Sequence, residues 1–322
     1  EELSQALAWA NSENLPVLVL GGGSNLLVSD AGFPGLVIKV CLKGISQDGN
    51  EVRAAAGEVW DDFVARTVAR GLAGIECLSG IPGFVGGSPI QNIGAYGQEV
   101  KDTITRVEAV DRLTGKPVVF TNDQCRFAYR TSRFKHGDER DRYVVTAVTF
   151  RLEPGGSTTM RYGDLTRYFA SQGIANPTLS QVREAVLTIR RSKAMVWEPD
   201  HEPNSRSCGS FFTNPIVSLE QLDEALARLR TAGAVGPEDR PPVFEAGDGQ
   251  VKLSAAWLME RSGLRKGLRM GNVGLSERHV LAIINRGGGT AAEVLRLVEH
   301  VQKTVQNATG IRLEPEPVFV GF

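Results

Sequence analysis

Hydrophobic and polar positions along the chain alternate in patterns that predict both strands and helices. Near the start, two short runs rich in valine, isoleucine and leucine, 15–20 and 35–40, are bounded by turn residues and predict strands. Further on, apolar residues recur at helical spacing within 61–70, and Gly71 supplies a stop signal. The pattern therefore predicts a chain of mixed helices and strands.

Two later helices are marked by capping boxes, in which a threonine and a residue three positions later satisfy each other's backbone amides. Thr178 and Gln181 precede one apolar helical pattern. Thr290 and Glu293 precede the last one, which ends at Gly310. A charged run ends the earlier helix, and we expect it to form a solvated last turn that interacts with the helix dipole; it consists of Arg190, Arg191 and Lys193.

Other segments complete this outline. Residues 107–120 predict a hairpin with its turn at 114–115, and 143–152 predict a strand. The stretch 195–209 is polar, contains prolines and has no periodicity, so it predicts a boundary between domains. Residues 311–320 predict a terminal strand.

A glycine-rich segment, GGGSN at 21–25, follows the first predicted strand. Its spacing is not that of a dinucleotide fingerprint, and another strand rather than a long helix follows it. Successive amides of such a segment form an anion-binding nest. A plain hairpin turn explains the same residues equally well, so both interpretations stay open.

A second glycine-rich segment, 78–97, is the most informative part of the sequence. Its glycines at 80, 83, 86, 87, 94 and 97 leave no room for an ordinary helix or strand, and each lets backbone amides approach a bound group. Polar or stacking side chains lie among them, namely Ser88, Gln91, Asn92 and Tyr96. The segment predicts a cradle for a large flat or phosphate-bearing ligand, with a tight surface loop as the alternative.

Length and charge limit the class of protein. At 322 residues the chain can hold about two domains with full-sized cores. Its 36 basic and 37 acidic residues leave a net charge of −1, which gives no reason to expect a nucleic-acid or membrane partner. No apolar run reaches the roughly 18 to 20 residues of a membrane helix, and residues 1–10 lack the basic start of a secretion signal. We therefore expect a cytoplasmic protein.

Residues for several common chemistries are missing. The sequence contains neither a GxxxxGK[ST] phosphate loop nor a GxSxG nucleophile elbow. Its four histidines are not spaced as a metal pair, so no metal site is expected. Its four cysteines are widely spaced and are expected to be free thiols.

Three polar side chains remain as candidates for chemistry. Arg130 lies among aromatic neighbours, where a guanidinium can grip a carboxylate with two hydrogen bonds. Ser210 follows a glycine and precedes two phenylalanines, which can fix the direction of its hydroxyl, and Glu314 precedes a proline, which favours extended backbone. A surface arginine is an equally open interpretation, and the local sequence favours a capping serine and a solvated glutamate over functional roles. The residues alone fit reduction of an activated double bond or simple binding of an acidic sugar.

Several motifs occur together in a fixed order along the whole chain. They are GGGSN at 21–25, SGIPG at 79–83, GGSPIQNIGAYG at 86–97, FAYRTSRFKH at 127–136, RYGDLTR at 161–167, GSFFTNP at 209–215, VKLSAAWLME at 251–260 and LEPEP at 313–317. Together they resemble the UDP-N-acetylenolpyruvoylglucosamine reductase family, flavin enzymes that complete UDP-N-acetylmuramate in peptidoglycan synthesis. The Phe-Ala-Tyr-Arg loop at 127–130 and the Tyr-Gly-Asp segment at 162–164 are similar to the longer-loop subtype of that family.

The resemblance implies an α+β chain with two domains. An FAD-binding domain of the vanillyl-alcohol-oxidase type would cover 1–194 in two lobes, 1–43 and 44–194. A separate α+β substrate-binding domain would cover 195–322, with its final strand, 311–322, returning toward the FAD domain. Because the cradle contains no histidine, FAD is expected to bind without a covalent bond.

The resemblance also assigns residues to ligands. The expected FAD contacts are Gly21, Gly22, Gly23, Ser24, Asn25, Gly80, Ile81, Pro82, Gly83, Gly86, Ser88, Asn92, Gly94, Ala95 and Tyr96. The expected contacts to the sugar nucleotide are Tyr162, Lys193, Asn214 and Lys252. NADPH would reduce FAD and leave before the enolpyruvyl sugar nucleotide enters, and no nucleic acid, membrane or obligate protein partner is implied.

In the implied reaction, hydride passes from N5 of FAD to C3 of the enolpyruvyl group and Ser210 donates a proton to C2. Arg130 would stabilise the charge that spreads into the carboxylate, and Glu314 would share a proton with that carboxylate or balance Arg130. Family members often carry tyrosine at the position of Phe244, so a hydroxyl contact to the substrate would be lost here. They also usually carry a stretch with an Asn-Thr-Leu-like motif before the position of Glu1, from which further flavin contacts are expected. Two other functions stay open, another flavin oxidoreductase and a non-catalytic flavin or sugar-nucleotide binding protein.

Overall fold

The computed structural model describes residues 2–156, 158 and 163–322. They form two compact units. The first unit contains the described residues of Glu1–Ser24 and Phe33–Val196, and the second contains Asn25–Gly32 and Trp197–Phe322. The assignment of FAD and substrate to separate domains stays a prediction.

Helices and strands are mixed along the chain, as predicted. The helices are α1 (Glu2–Ser12), α2 (Trp60–Ala69), α3 (Asn122–Cys125), α4 (Gly163–Ser171), α5 (Leu179–Ser192), α6 (Leu219–Thr231), α7 (Ala255–Arg261) and α8 (Ala291–Thr309). The strands are β1 (Val17–Leu20), β2 (Leu26–Val28), β3 (Leu36–Lys39), β4 (Ile45–Asp48), β5 (Glu51–Ala55), β6 (Leu72–Ala73), β7 (Gly94–Ala95), β8 (Gln98–Glu99), β9 (Ile104–Asp111), β10 (Pro117–Thr121), β11 (Tyr143–Arg151), β12 (Glu153–Pro154), β13 (Ile216–Ser218), β14 (Val243–Gly247), β15 (Gln250–Leu253), β16 (Arg269–Met270), β17 (Val273–Leu275), β18 (Ile283–Asn285) and β19 (Val318–Val320).

An antiparallel five-stranded sheet forms the centre of the first unit, in the order β10-β9-β11-β5-β4. Helix α2 packs on this sheet through Phe63, whose ring centre lies 5.1 Å from that of Phe150 in β11. Strands β9 and β10 form the predicted hairpin. Gly115 in its turn has a φ of 66°, which glycine adopts without a steric penalty.

Helix α5 begins at the predicted capping box. Oγ1 of Thr178 accepts from the amide of Gln181 (3.2 Å), and Oε1 of Gln181 accepts from the amide of Thr178 (2.8 Å). The apolar face of α5 packs in a small buried cluster made of Cys77, Leu165, Phe169, Val182, Ala185 and Val186. Tyr96 of the second glycine-rich segment packs on the same cluster, so α5 supports that segment.

The two strands predicted near the start do not flank a hairpin turn. Strand β1 pairs in parallel with β3, with Val17 opposite Leu36. Strand β2, which follows the first glycine-rich segment, pairs in parallel with β19. The hairpin interpretation of 21–25 is therefore wrong, because the strands on either side of the segment do not pair with each other.

The second unit is built around α8. Its predicted capping box between Thr290 and Glu293 is present, and the helix ends at Gly310 in left-handed backbone. Two three-stranded sheets, β13-β15-β14 and β16-β17-β18, share one buried core with α8. The predicted terminal strand is shorter than expected, because only Val318–Val320 is a strand. Glu314 lies in irregular backbone, next to Pro315, which has no amide hydrogen to donate.

All four cysteines are free, as predicted. Cys41 is exposed. Burial raises the pKa of Cys77, that of Cys125 to about 12 and that of Cys208 to about 11, so these thiols stay protonated. Throughout the described ranges, every helix is too short or too polar to cross a membrane.

Candidate functional site

The two glycine-rich segments touch each other in the first unit. A Cβ added at Gly22 would lie 2.7 Å from Cα of Gly83 and 3.3 Å from its carbonyl carbon. Next to this contact, Oγ of Ser24 donates to the carbonyl of Pro82 (3.1 Å). Only glycine at position 22 allows this approach, which brings together residues from both segments that were predicted to contact FAD.

The turn after β1 presents open amide groups. Gly22 and Gly23 are exposed, and nothing lies within 4 Å of the position that a Cβ at Gly21 would take. Within the described part of the chain, the amides of these three glycines have no protein acceptor. Consecutive free amides form a concavity that binds phosphate oxygens. The segment therefore fits a phosphate-bearing cofactor.

An ion pair holds the second glycine-rich segment at Gly80, where φ is 71°. The amide of Gly80 donates to Oδ1 of Asp61 (2.6 Å). Both carboxylate oxygens of Asp61 also accept from Arg183, at 2.6 and 2.8 Å. Burial alone would raise the pKa of Asp61, but the hydrogen bonds from Arg183 and Gly80 outweigh burial and lower it. The carboxylate therefore stays charged and keeps Gly80 in place.

Two of the polar residues predicted to contact FAD have side chains that form hydrogen bonds within the protein. Asn92 is buried, and its Nδ2 donates to Oε2 of Glu99 and to the carbonyl of Ala128, both at 3.0 Å, while its Oδ1 accepts from a backbone amide at 3.1 Å. The hydroxyl of Ser88, also buried, donates to the carbonyl of Val85 (2.7 Å). These two side chains hold the shape of the cradle.

Other residues that were predicted to contact FAD lie where backbone segments are tightly packed or paired. A Cβ at Gly86 would lie 2.5 Å from that of Ala56, at the end of β5. Gly94 and Ala95 form β7, which pairs with β8. Tyr96 has a φ of 49°, a left-handed conformation that is uncommon for a side-chain-bearing residue.

The loop that carries Arg130 is fastened to the cradle. Nη2 of Arg130 donates to the carbonyl of Gly94 (2.7 Å), and Oγ of Ser132 donates to the carbonyl of Ile90 (2.6 Å). The φ of Arg130 is 54°, and Nζ of Lys135 donates to its carbonyl (3.2 Å). The structure therefore places the predicted arginine directly beside Gly94, a predicted FAD contact.

Lys193 caps the C-terminus of α5, and its Nζ donates to Oδ2 of Asp164 (2.8 Å). Burial alone would raise the pKa of Asp164, but Lys193 and Arg167 outweigh burial and lower it. Lys193 is thus held as a fixed cation. Tyr162, the other predicted substrate contact in this region, lies outside the described residues.

Ser210 and Glu314 lie on neighbouring backbone segments of the second unit. Phe212 forms an antiparallel bridge with Pro315. The amide of Thr213 donates to the carbonyl of Glu314 (3.0 Å). The structure therefore brings these two predicted catalytic residues onto paired segments.

The side chains of this pair have few constraints of their own. Gly209 precedes Ser210 with a φ of 78°, and the serine hydroxyl has no hydrogen bond to any other described residue. The carboxylate of Glu314 is exposed, with Oε1 at 3.8 Å from Nε of Arg312. Both groups are placed by the backbone and remain able to meet a ligand.

Of the remaining predicted residues of the second unit, Asn214 and Lys252 lie in or near β15. Oδ1 of Asn214 accepts from the amide of Ala255 (2.9 Å), at the start of α7. Lys252 in β15 has its Nζ 5.5 Å from the ring centre of Phe244 in β14. Asn25 belongs to the second unit, where its Nδ2 donates to the carbonyl of Glu316 (3.4 Å).

Arg190 is a residue that sequence reasoning missed. The prediction of a solvated last turn holds only in part for it, because its side chain is half-buried and its Nε is shielded from solvent. Among the residues with described positions, the guanidinium makes one hydrogen bond, from Nη2 to the carbonyl of Met195 (2.7 Å). The signal was present in the helical period, since position 190 lies one turn after Val186 on the apolar face of α5.

No group of three or more histidine, cysteine, aspartate or glutamate residues that could hold a metal ion occurs among the residues with described positions. The open amides at 21–23 and the space at Gly21 are instead suited to an organic phosphate. The donor set therefore suits a dinucleotide cofactor such as FAD.

Family models match both halves of the chain. One, described as an FAD binding domain, matches residues 1–121, and another, described as UDP-N-acetylenolpyruvoylglucosamine reductase, C-terminal domain, matches 201–320. Together with the glycine cradle, these matches define a flavoprotein oxidoreductase. They confirm the predicted α+β fold with an FAD-binding domain and a separate C-terminal domain, and FAD as the cofactor.

Relatives narrow this class to one family. A protein of Thermobifida fusca named UDP-N-acetylenolpyruvoylglucosamine reductase is 50% identical over 100% of this chain and 90% of its own length. A protein of the same name from Streptomyces coelicolor is 46% identical over 99% of this chain and 83% of its own. The crystal structure of the Thermus caldophilus enzyme matches with a TM-score of 0.64 and 26% identity, over 97% of this chain and 88% of that one. The chain belongs to the UDP-N-acetylenolpyruvoylglucosamine reductase family, as its motifs predicted.

Proposed function

We propose that this chain reduces the enolpyruvyl group of UDP-N-acetylglucosamine enolpyruvate to give UDP-N-acetylmuramate for peptidoglycan synthesis. The observation that carries the proposal is the contact between Gly22 and Gly83, which joins two predicted cofactor segments into one cradle with open amides. FAD bound there would take two electrons from NADPH and deliver them to the substrate double bond. We propose the cytoplasm as the location, because NADPH and nucleotide sugars are made there, and no obligate protein partner.

Arg130 is proposed to bind the carboxylate of the enolpyruvyl group. A guanidinium has five N–H donors in a planar fork, and one of those on Arg130 is used to fix its orientation on the carbonyl of Gly94. A fork held in this way suits a carboxylate on which negative charge grows during the reaction. Removing such a preorganised donor typically costs a factor of about 10²–10³ in rate.

Ser210 is proposed to donate the proton that C2 of the substrate receives. A hydroxyl is a weak acid, so this transfer requires a strongly basic carbon, which C2 becomes once electron density has entered the double bond. The buried rings of Phe211 and Phe212 anchor the segment that carries the serine. The hydroxyl is then directed by its backbone rather than by a competing hydrogen bond within the described residues.

Glu314 is proposed to share a proton with the substrate carboxylate, because two bare carboxylates repel each other. Its exposed side chain can reach a ligand without leaving a buried ion pair. Lys193, Asn214 and Lys252, with Tyr162, are proposed to hold the sugar nucleotide. The ammonium groups of Lys193 and Lys252 would act as positive point charges that attract the diphosphate of the sugar nucleotide.

The role of Ser210 can be tested by separating the two half-reactions. In anaerobic stopped-flow experiments, Ser210→Ala should be reduced by NADPH at the wild-type rate, because Ser210 does not take part in that step. Reoxidation by the enolpyruvyl substrate should slow by about 10²–10⁴, the usual contribution of a positioned proton donor. Ser210→Cys, which keeps a donor of similar shape, should retain more of the second rate. Wild-type speed in both half-reactions of Ser210→Ala would show that Ser210 is not the donor.

A further inference from the structure

The guanidinium of Arg190 lies against the second glycine-rich segment from the side of α5. A Cβ added at Gly80 would lie 3.2 Å from Nε of Arg190 and 3.3 Å from its Cδ. The Nε atom is shielded from solvent and has no hydrogen-bond partner in the described part of the chain. Together with Leu187, whose Cδ2 would lie 2.9 Å from that Cβ, the side chain occupies the space behind Gly80, a predicted FAD contact.

The charge of Arg190 is not neutralised locally. Among the described residues no carboxylate forms an ion pair with it, and its hydrogen bond goes to the uncharged carbonyl of Met195. Asp61 attracts it from a distance, but the carboxylate of Asp61 already makes two hydrogen bonds to Arg183. These three ionised side chains sum to one positive charge. Burial lowers the pKa of Arg190, yet an arginine stays charged in a protein.

Arg190 is half-buried, and a charge whose Nε is shielded from solvent, without an ion-pair partner among the described residues, is costly for folding. A methionine or leucine at position 190 would extend the apolar face formed by Val182 and Val186 without that cost. An arginine in this place therefore points to a use for its charge. The nearest group of interest is the cradle, because both Gly80 and Tyr96 lie within reach of its field.

The chemistry of the cradle divides between its two segments. The open amides at 21–23 suit phosphate oxygens, whereas the segment beside Arg190 carries Tyr96, which suits a flat ring. A ring system that takes up two electrons and one proton gains one negative charge. A fixed positive charge in a medium of low dielectric constant favours that reduced state.

We propose that Arg190 supplies the positive charge that raises the reduction potential of FAD in the cradle. This inference rests on the proposed function, because it requires FAD at that place. Arg190 acts through its field and through its contact with Gly80, and it takes no part in proton transfer. Its removal should therefore alter the equilibrium between oxidised and reduced cofactor.

The test is the midpoint potential of the FAD-loaded full-length protein, measured by anaerobic reduction with xanthine and xanthine oxidase in the presence of a reference dye. Arg190→Met removes the charge and keeps an unbranched side chain, and Arg190→Lys keeps the charge. Arg66→Met is the matched control, because Arg66 is an exposed arginine on α2 of the same unit. We expect Arg190→Met to lower the preference for the reduced state at least tenfold, which is about 30 mV for two electrons. Arg190→Lys and Arg66→Met should shift it by much less.

An unchanged potential in Arg190→Met would overturn the inference. Weaker FAD binding with an unchanged potential would also overturn it, because the charge of Arg190 would then bind the phosphates of FAD and not stabilise its reduced ring. If Arg190→Met does not retain FAD, Arg190→Gln provides the neutral variant, since its amide can still donate to the carbonyl of Met195. A wild-type protein that binds no FAD would refute the proposed function instead, so the two failures are distinguishable.

Discussion

Replacing Gly22 by alanine tests how closely the two glycine-rich segments approach each other. The new Cβ would lie 2.7 Å from Cα of Gly83, whereas non-bonded carbon atoms prefer about 3.5–4.0 Å. One segment must therefore move by about 1 Å. The backbone itself has to shift, because the atom that the new Cβ meets is a backbone atom and not the end of a flexible side chain. Overpacking of this kind costs about 1–3 kcal/mol. We expect the free energy of unfolding of the flavin-free protein to fall by that amount.

The neighbouring Gly21 is a matched control with a different expectation. Nothing lies within 4 Å of its Cβ position, and its φ is not positive. Gly21→Ala should leave flavin-free stability unchanged or raise it by up to about 1 kcal/mol, because alanine restricts the unfolded chain. If FAD approaches through this space, the same methyl group should weaken FAD binding about tenfold, or about 1.4 kcal/mol. Gly87→Ala, also in open space but outside the predicted contacts, should affect stability in the same way as Gly21→Ala and leave FAD binding unchanged.

Urea unfolding of the flavin-free variants and fluorescence titration with FAD measure the two quantities separately. A Gly22→Ala protein as stable as the wild type would refute the close contact between the segments. Wild-type FAD affinity in Gly21→Ala would refute the open amides as the place where the cofactor approaches.

Two further predictions concern an ion pair and the thiols. Because the pKa of Asp61 is lowered from its ordinary value of 3.8, its stabilising effect is fully present above that value and is lost as the pH falls below it. The stability difference between wild type and Asp61→Asn, from urea unfolding, should therefore be constant near neutral pH and shrink below about pH 4, and a difference independent of pH would contradict this account. A thiol reagent should label exposed Cys41 quickly and Cys77, Cys125 and Cys208 slowly, because their thiols have raised pKa values; equal rates for all four in the native protein would contradict the burial.

Sequence patterns predicted the elements whose ends are set by short-range chemistry. The capping box at Thr178 involves residues three positions apart, and so does the one at Thr290. The hairpin turn at Gly115 depends on a single left-handed residue. These signals need no knowledge of distant contacts, so they could be recognised directly.

Features decided by distant contacts were harder to predict. Arg190 belongs to a charged run, and only its packing against Gly80 shows that its Nε is shielded from solvent. Asparagine often contacts ligands, yet the side-chain amide of Asn92 donates hydrogen bonds to Glu99 and to the carbonyl of Ala128. Glu314 was predicted in a strand, but the pairing here is limited to one antiparallel bridge between Phe212 and Pro315.

The candidate site itself depended on the order of motifs more than on any one residue. Local chemistry left the role of Arg130 ambiguous, because a loop arginine among aromatic residues is often a surface group. Its bond to Gly94 joins it to the cradle and could be seen only in the folded chain. The paired backbone segments of Ser210 and Glu314, about a hundred positions apart in sequence, are a tertiary feature of the same kind.

The central claim is that the cradle holds FAD which carries electrons from NADPH to the enolpyruvyl sugar nucleotide. Anaerobic absorbance spectroscopy of the purified protein tests it most directly. We expect a stoichiometric flavin spectrum that NADPH bleaches and that UDP-N-acetylglucosamine enolpyruvate restores, with UDP-N-acetylmuramate detected by mass spectrometry. A protein that binds no FAD even when FAD is added, or whose bleached flavin the substrate does not restore, would contradict the account.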